Sequence, residues 1–330
     1  MFKYRKNFIT IILVLVSIGI LFFISNKNSQ NSNLPLVAIA NWGPHSSLED
    51  SIRGIKEELK KQGFIEGKNV RIRVTDAGFD PALIPQMIMQ LKSLHPAVMV
   101  VLGTPVAQFA KNSIKEIPLV FNVITDPVKA GLLEEENQAN QNMTGASDKQ
   151  NLELFLDFAQ QLIPTAKRIG ILYATSETND LALVKMMKEA AEKKGMTVVA
   201  LPINQARDVP MQMKMFEGQV DFIYVGASGP IQPTLPAIAA EADRMKIPVF
   251  NVNEDAVKKN QVFASYGVNY ENIGINTGKL VARILKGEKV SDIEPIYPTQ
   301  NDHRGFISKE KAKELGIVIP SDLKNTEIVE

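Results

Sequence analysis

The chain has 330 residues, 45% of them apolar, with 37 Lys+Arg against 36 Asp+Glu. This near-cancellation leaves no basic stripe for a phosphate backbone and argues against nucleic acid as a partner. The absence of Cys excludes disulfides, thiolate metal centres, thiol catalysis and lipid attachment through an N-terminal Cys.

The chain opens with Lys3, Arg5 and Lys6, followed by seventeen uncharged residues, Phe8–Ile24. A basic start before an apolar run is the order of an export signal. The run is longer than a usual signal core, and no A-x-A-like site follows it. It approaches the length needed to span a bilayer. The reading is an anchor, with cleavage left open, and a polar tether at Ser25–Asn33. The basic flank stays in the cytoplasm and the rest of the chain lies outside.

From residue 36 the pattern alternates strands and helices. LVAIA (36–40) reads as a strand. Leu48, Ile52, Ile55 and Leu59 fall on one helical face behind a Ser46/Glu49 capping-box pattern, and Gly63 stops the helix. NVRIRV (69–74) alternates as a strand. Asp80-Pro81 opens a helix carrying Leu83, Met87 and Leu91. AVMVVL (97–102) and PLVFNVI (118–124) are buried strands, with a helix between them starting at Thr104-Pro105. The pattern then restarts. A helix near 152–162 precedes strands at 168–173, 197–203, 221–225, 247–252 and 262–268, and a late helix runs over 271–288. Such alternation implies parallel sheets covered on both faces.

An internal match supports two similar halves. FNVITDPVKAG (121–131) and FNVNEDAVKKN (250–260) agree at six of eleven positions, and each follows an Ile-Pro.

In open parallel sheets, ligands bind beyond the carboxyl ends of the strands. The turns there are the candidates. Gly103-Thr104-Pro105 offers a close backbone approach and a helix N-terminus suited to a carboxylate, or an ordinary Thr cap. Asp126 is either a partner for a ligand ammonium or a turn residue before Pro127. Asn179 can both donate and accept. Ser228 and Asn253 end further strands. Trp42, the sole Trp, is either a core plug or an apolar wall for a planar ligand. No phosphate loop, dinucleotide fingerprint, nucleophile elbow or zinc-protease motif occurs. His45, His95 and His303 have no metal-ligand spacing. No catalytic residue, metal or cofactor is expected.

The chain resembles the substrate-binding proteins of ABC transporters, in the group with tryptophan- and tyrosine-binding members. The resemblance rests on stretches 37–70, 101–110, 117–132, 168–179, 247–257, 266–288 and 315–320 in this order. It implies a type I periplasmic-binding fold: α/β, with two Rossmann-like parallel-sheet lobes joined by a hinge around a ligand cleft. Thr104, Asp126 and Asn179 match places where the family holds an amino acid's charged head. Ala227-Ser228-Gly229 departs from the family's Thr-Asp-Asn-like turn. Asn251-Val252-Asn253 stands where a Ser/Asp-bearing turn is usual, and the lipoprotein Cys is missing.

The expected division is an anchor and tether over 1–34, a first lobe from 35–147 and 270–292, and a second from 148–269 and 293–330. The expected function is non-enzymatic capture of a small, amino-acid-like ligand, with an aromatic one in view, outside the cytoplasmic membrane. The chain would act as a monomer with an ABC permease and its ATPase. The alternatives are a membrane-associated ligand sensor and a two-lobed nucleotide-sugar enzyme.

Overall fold

The computed structural model describes residues 34–330, so the apolar run 8–24 and the tether 25–33 lie outside the described residues. Among the described residues, no helix is long and apolar enough to cross a membrane.

The first sheet is built from β1 (Leu36–Asn41), β2 (Arg71–Asp76), β3 (Val98–Leu102), β4 (Leu119–Ile124) and β5 (Met143–Ser147). Its order is β2-β1-β3-β4-β5, and every pair is parallel. Helices α1 (Ser46–Lys61), α2 (Ile84–Ser93) and α3 (Thr104–Ser113) connect these strands. The continuous apolar runs of β1 and β3 are fully buried, as central parallel strands require. Strand β2 starts two residues later than its alternation suggests. Asn69 is held in the preceding turn, where its side chain accepts from the Ile65 N–H and donates to the Gly63 carbonyl.

The second sheet contains β6 (Arg168–Ala174), β7 (Thr197–Ile203), β8 (Phe222–Val225), β9 (Val249–Asn251), β10 (Ala264–Val268), β11 (His303–Ser308) and β12 (Thr326–Val329). Its order is β12-β11-β10-β9-β8-β6-β7. Helices α4 (Leu152–Leu162), α5 (Thr178–Lys193), α6 (Val209–Lys214), α7 (Leu235–Met245) and α8 (Glu254–Lys258) belong to this part of the chain. This sheet is not purely parallel, because β10 and β11 pair antiparallel. Its core holds an aromatic cluster, with Phe155 4.5 Å from Tyr224 and Phe222 5.1 Å from Phe250 between ring centroids.

Helix α9 (Tyr270–Leu285) follows β10 but packs on the first sheet, against α1 and β4. The two helices approach backbone to backbone. A Cβ at Gly54 would lie 2.1 Å from the Glu271 carbonyl oxygen, and one at Gly274 would lie 2.0 Å from that of Ser51. Below this contact, Ser51 donates to Asn122 Oδ1 at 2.8 Å, and Asn122 donates to Thr277 Oγ1 at 2.5 Å. A final helix, α10 (Lys309–Leu315), separates β11 from β12. The chain therefore passes between the sheets three times: after β5, after β10 and before β11.

Candidate ligand-binding site

The carboxyl ends of the two sheets face one another. The ends of β1, β3 and β4 bring Trp42, Gly103, Thr104, Val123 and Thr125 to the shared cleft. The ends of β6 and β8 bring Glu177, Asn179, Ala227 and Gly229. The cavity between them measures about 20 Å3, room for one water.

Local backbone geometry explains the first-sheet side. Gly103 caps α3 with φ 85°, a conformation that favours glycine. Pro105 lies in the first turn of α3, and no side chain caps this end. The free N–H groups and positive dipole end of α3 are therefore available to an anion. Val123 has φ 55°, and the β4–β5 register breaks between Asn122 and Ile124. A β-branched residue in the left-handed region is a strained exception, at a cost of about 1–3 kcal/mol. This bulge sets Val123 in the cavity wall.

The second-sheet side carries two buried carboxyls. Glu177 accepts from Trp42 Nε1 at 2.7 Å, from Asn179 Nδ2 at 3.0 Å and from the Gly229 N–H at 3.3 Å. Asp180 accepts from the Ala174 N–H at 2.6 Å and from Asn179 Nδ2 at 3.1 Å. Burial raises the Glu177 carboxyl, against the pull of these donors. Burial, and then the Glu177 charge, push Asp180 up to about 8. Burial thus disfavours ionisation of both members of the pair, and the donors that converge on Glu177 oppose it there. Asn179 Oδ1 is buried with no hydrogen-bond partner. Lobe-to-lobe bonds flank the cavity. Gln108 donates to Thr178 Oγ1 at 3.3 Å, and Asn253 Nδ2 donates to the hydroxyls of Ser46 and Ser47 at 3.0 and 2.7 Å.

Of the residues singled out from sequence, Trp42, Gly103, Thr104 and Asn179 line the cavity, and Asp126, Ser228 and Asn253 do not. Asp126 closes its own turn, accepting from the Lys129 N–H at 2.9 Å and pairing with Lys129 Nζ at 3.0 Å. Its neighbour Thr125 reaches the cavity instead. Ser228 is buried, and its hydroxyl approaches Asp180 without reaching hydrogen-bond geometry. Asn253 ties its strand end to α1 and caps α8. Glu177, Val123 and His45 line the cavity and were not foreseen. An acid preceding Asn179 by two residues was a legible signal for Glu177; the bulge at Val123 left none. His45 stacks on Phe79 with ring centroids 5.7 Å apart, and burial lowers its pKa to about 4.

A roomier groove of about 530 Å3 runs along the crossing segments. Its charges are already paired, Lys149 with Glu136 and Lys193 with Glu153. His303 accepts from the Asn151 N–H at 3.0 Å, and its Nδ1 donates to the Thr299 carbonyl at 2.8 Å. The groove also holds an unpartnered hydroxyl, Tyr297 Oη, but the small cleft sets the unpartnered Asn179 Oδ1 opposite the uncapped N-terminus of α3. Among the described residues, no group of three or more His, Asp or Glu is placed to hold a metal ion.

Two α/β lobes, three connections and a polar cleft between opposed strand ends define a two-lobed solute-binding protein of the type I periplasmic-binding fold. The profile of the family described as "ABC transporter substrate binding protein" matches residues 36–327, and the chain belongs to that family. It is therefore a solute-binding component rather than a member of an enzyme family, and such components work outside the cytoplasm with an ABC transporter.

A tyrosine-binding protein of Clostridioides difficile (strain R20291) is 29% identical over 268 residues, covering 81% of this chain and 77% of that protein. Among solved structures, a conserved domain protein from Vibrio cholerae is 29% identical with a TM-score of 0.86. An ABC domain from Streptococcus pneumoniae in complex with L-Trp is 27% identical with a TM-score of 0.85. Each covers 90% of this chain and 100% of its own. The ligand-free, open structure of a substrate-binding protein with adhesive properties from Clostridium difficile is 31% identical, covers 90% of this chain and 99% of its own, and has a TM-score of 0.69. The present chain thus fits the ligand complex better than the open form, despite slightly lower identity to the former. The lobe-to-lobe bonds agree with a closed arrangement.

Proposed function

We propose that this chain captures an aromatic amino acid in the interlobe cleft and delivers it to an ABC permease. The observation that carries this reading is the polarity of the cleft. Acceptors on one side, Glu177 and the unpartnered Asn179 Oδ1, face the open N-terminus of α3 and Thr104 on the other. A zwitterion fits that arrangement, with its ammonium on Glu177 and Asn179 and its carboxylate at α3. The apolar portion of the ligand lies toward Leu48 and Val123. The tyrosine-binding relative and the L-Trp complex support an aromatic side chain.

Capture proceeds by hinge closure. The first lobe comprises 35–147 and 270–292, and the second 148–269 and 293–330. The packing of α9 on α1 supports this division. The chain works as a monomer, held to the outer face of the cytoplasmic membrane by residues 8–24. Transport is favoured over sensing because the family is that of transporter components.

Calorimetric titration of the full chain with the twenty amino acids tests the reading. Aromatic members should bind, and at about 100 times the dissociation constant they should add about 2.7 kcal/mol of apparent stability. Heat from sugars or inorganic anions, with none from amino acids, would overturn it.

A further inference from the structure

The cleft already contains an aromatic ring with a hydrogen-bond donor, and it belongs to the protein. The Trp42 indole leaves the end of β1, crosses the cleft and donates to Glu177 on the opposite lobe at 2.7 Å. The ring is 3% exposed. Two glycines make room for it. A Cβ at Gly103 would lie 2.8 Å from Trp42 Cβ, and one at Gly229 would lie 2.1 Å from Trp42 Nε1 and 2.7 Å from Glu177 Oε1. Phe79 supports the indole edge-on. With the ring in place, the cavity of about 20 Å3 has no room for an amino acid.

We propose that Trp42 is an internal competitor for the cleft: its indole latches the lobes together through Glu177, and ligand capture requires that ring to leave. The proposal rests on the reading of the cleft as an amino-acid site and adds how that site is regulated.

Three features support a latch over a fixed wall. The indole bonds across the cleft rather than within its own lobe. It takes Glu177 Oε1, the carboxylate oxygen that the Asn179 and Gly229 donors leave free. It also occupies the space between the strand ends that a ligand ring needs. An incoming ammonium that displaces the indole N–H keeps Glu177 satisfied, so the exchange leaves no buried carboxylate without a donor.

The consequence is quantitative. When only a fraction of empty molecules is unlatched, apparent affinity falls in proportion to that fraction. A protein that spends about nine-tenths of its time latched binds about tenfold more weakly than one without the ring. The latch thereby filters ligands, because a weak binder cannot displace it.

Trp42 is the sole Trp of the chain, so its fluorescence reports the latch directly. In the ligand-free full chain, emission should be blue-shifted and poorly quenched by acrylamide. Glu177→Ala should shift emission to the red and raise quenching severalfold. Emission from the empty wild type that is already red and freely quenched would overturn the latch, whatever the ligand is. Calorimetry with L-tyrosine and L-tryptophan then compares wild type with Trp42→Ala. The variant should bind about tenfold more tightly. Weaker binding would make Trp42 a ligand wall and overturn the proposal. No heat from either amino acid with either protein would instead count against the aromatic-ligand reading, while the emission of the empty chain still decides the latch.

Discussion

The side-chain amide of Asn179 donates to Glu177 at 3.0 Å and to Asp180 at 3.1 Å, so one nitrogen bridges two buried carboxyls. Two carboxylates this close do not both ionise readily away from water. Asp180 retains its proton up to about pH 8, as burial and the Glu177 charge dictate. Unfolded, an Asp titrates near 3.9. Between these values the native state holds a proton that the unfolded state has released. Stability of the ligand-free protein therefore falls as pH rises, by at most about 1.4 kcal/mol per pH unit, and levels off above about pH 8.

Two other groups bound the window in which this slope is cleanly seen. His45 is lowered from 6.5 to about 4, so it adds stability as pH rises through that interval and nothing further above it. Asp148, raised to about 6 by burial, acts in the same direction as Asp180 but only up to that pH. Above pH 6.5, Asp180 is the chief of these three contributors, and Glu177, raised by burial beside it, acts in the same direction. Thermal melts from pH 6.5 to just above 8 should show a falling midpoint, and Asp180→Asn should flatten it. An equal slope in the variant would disprove the assignment.

The bulge at Val123 yields a reversed order of substitutions. At an ordinary buried strand position, Val→Gly costs more than Val→Ala, because Gly adds backbone entropy to the lost packing. Here φ is 55°. Any L side chain carries a penalty of roughly 1–2 kcal/mol in that region, and Gly carries none. Val123→Gly should therefore be more stable than Val123→Ala by about 1 kcal/mol in urea unfolding. The usual order would mean that the position is not strained.

At Gly54 the obstruction is backbone rather than a side chain that can turn aside. A Cβ there would meet the Glu271 carbonyl oxygen at 2.1 Å and the Ile275 nitrogen at 2.9 Å. Gly54→Ala must push α9 off α1, at a cost of about 1–3 kcal/mol or more. Gly63→Ala tests a different cause, since that site has open space but φ 91°. Its cost should be limited to backbone strain, about 1–2 kcal/mol. Denaturant midpoints should separate the two, with Gly54→Ala the lower. If Gly54→Ala unfolds at the wild-type midpoint, the close helix contact is wrong.

The sequence revealed those elements whose residues carry their own period. The runs of β1, β3 and β6 and the helical faces of α1 and α9 were legible because burial selects apolar residues at fixed spacing. Strands β5, β11 and β12 were not. Met143–Ser147 has little apolar content, and its neighbour β4 ends far upstream at Ile124, so pairing rather than propensity makes it a strand. The strand-end rule found Trp42, Gly103, Thr104 and Asn179, because topology alone delivers them to the cleft. Glu177 was marked only by standing two residues before Asn179, and its burial comes from the opposite lobe. Nothing local marks Val123, whose position comes from a bulge.

Asp126 and Asn179 are separated by what each already spends. Asp126 uses both carboxylate oxygens on Lys129, one on its N–H and one on its ammonium. The ammonium is half-exposed, so that ion pair contributes little. The turn bond is the larger part, comparable to a lost helix cap at about 0.5–2 kcal/mol. Asp126→Ala should lower the melting temperature of the ligand-free protein modestly and leave amino-acid affinity unchanged. Asn179 differs because its Oδ1 is buried without a partner in the cavity wall. A ligand ammonium that bonds to this oxygen makes a charge-assisted contact of about 1.5–3 kcal/mol. Asn179→Ala should therefore weaken binding by roughly 10- to 100-fold. Calorimetry and melting curves on both variants give four numbers: affinity should fall only in Asn179→Ala, while apo stability should fall in both, in Asn179→Ala because Glu177 and Asp180 lose their shared donor. Loss of affinity in Asp126→Ala with none in Asn179→Ala would shift the ammonium site to the first lobe and refute the arrangement proposed for the cleft.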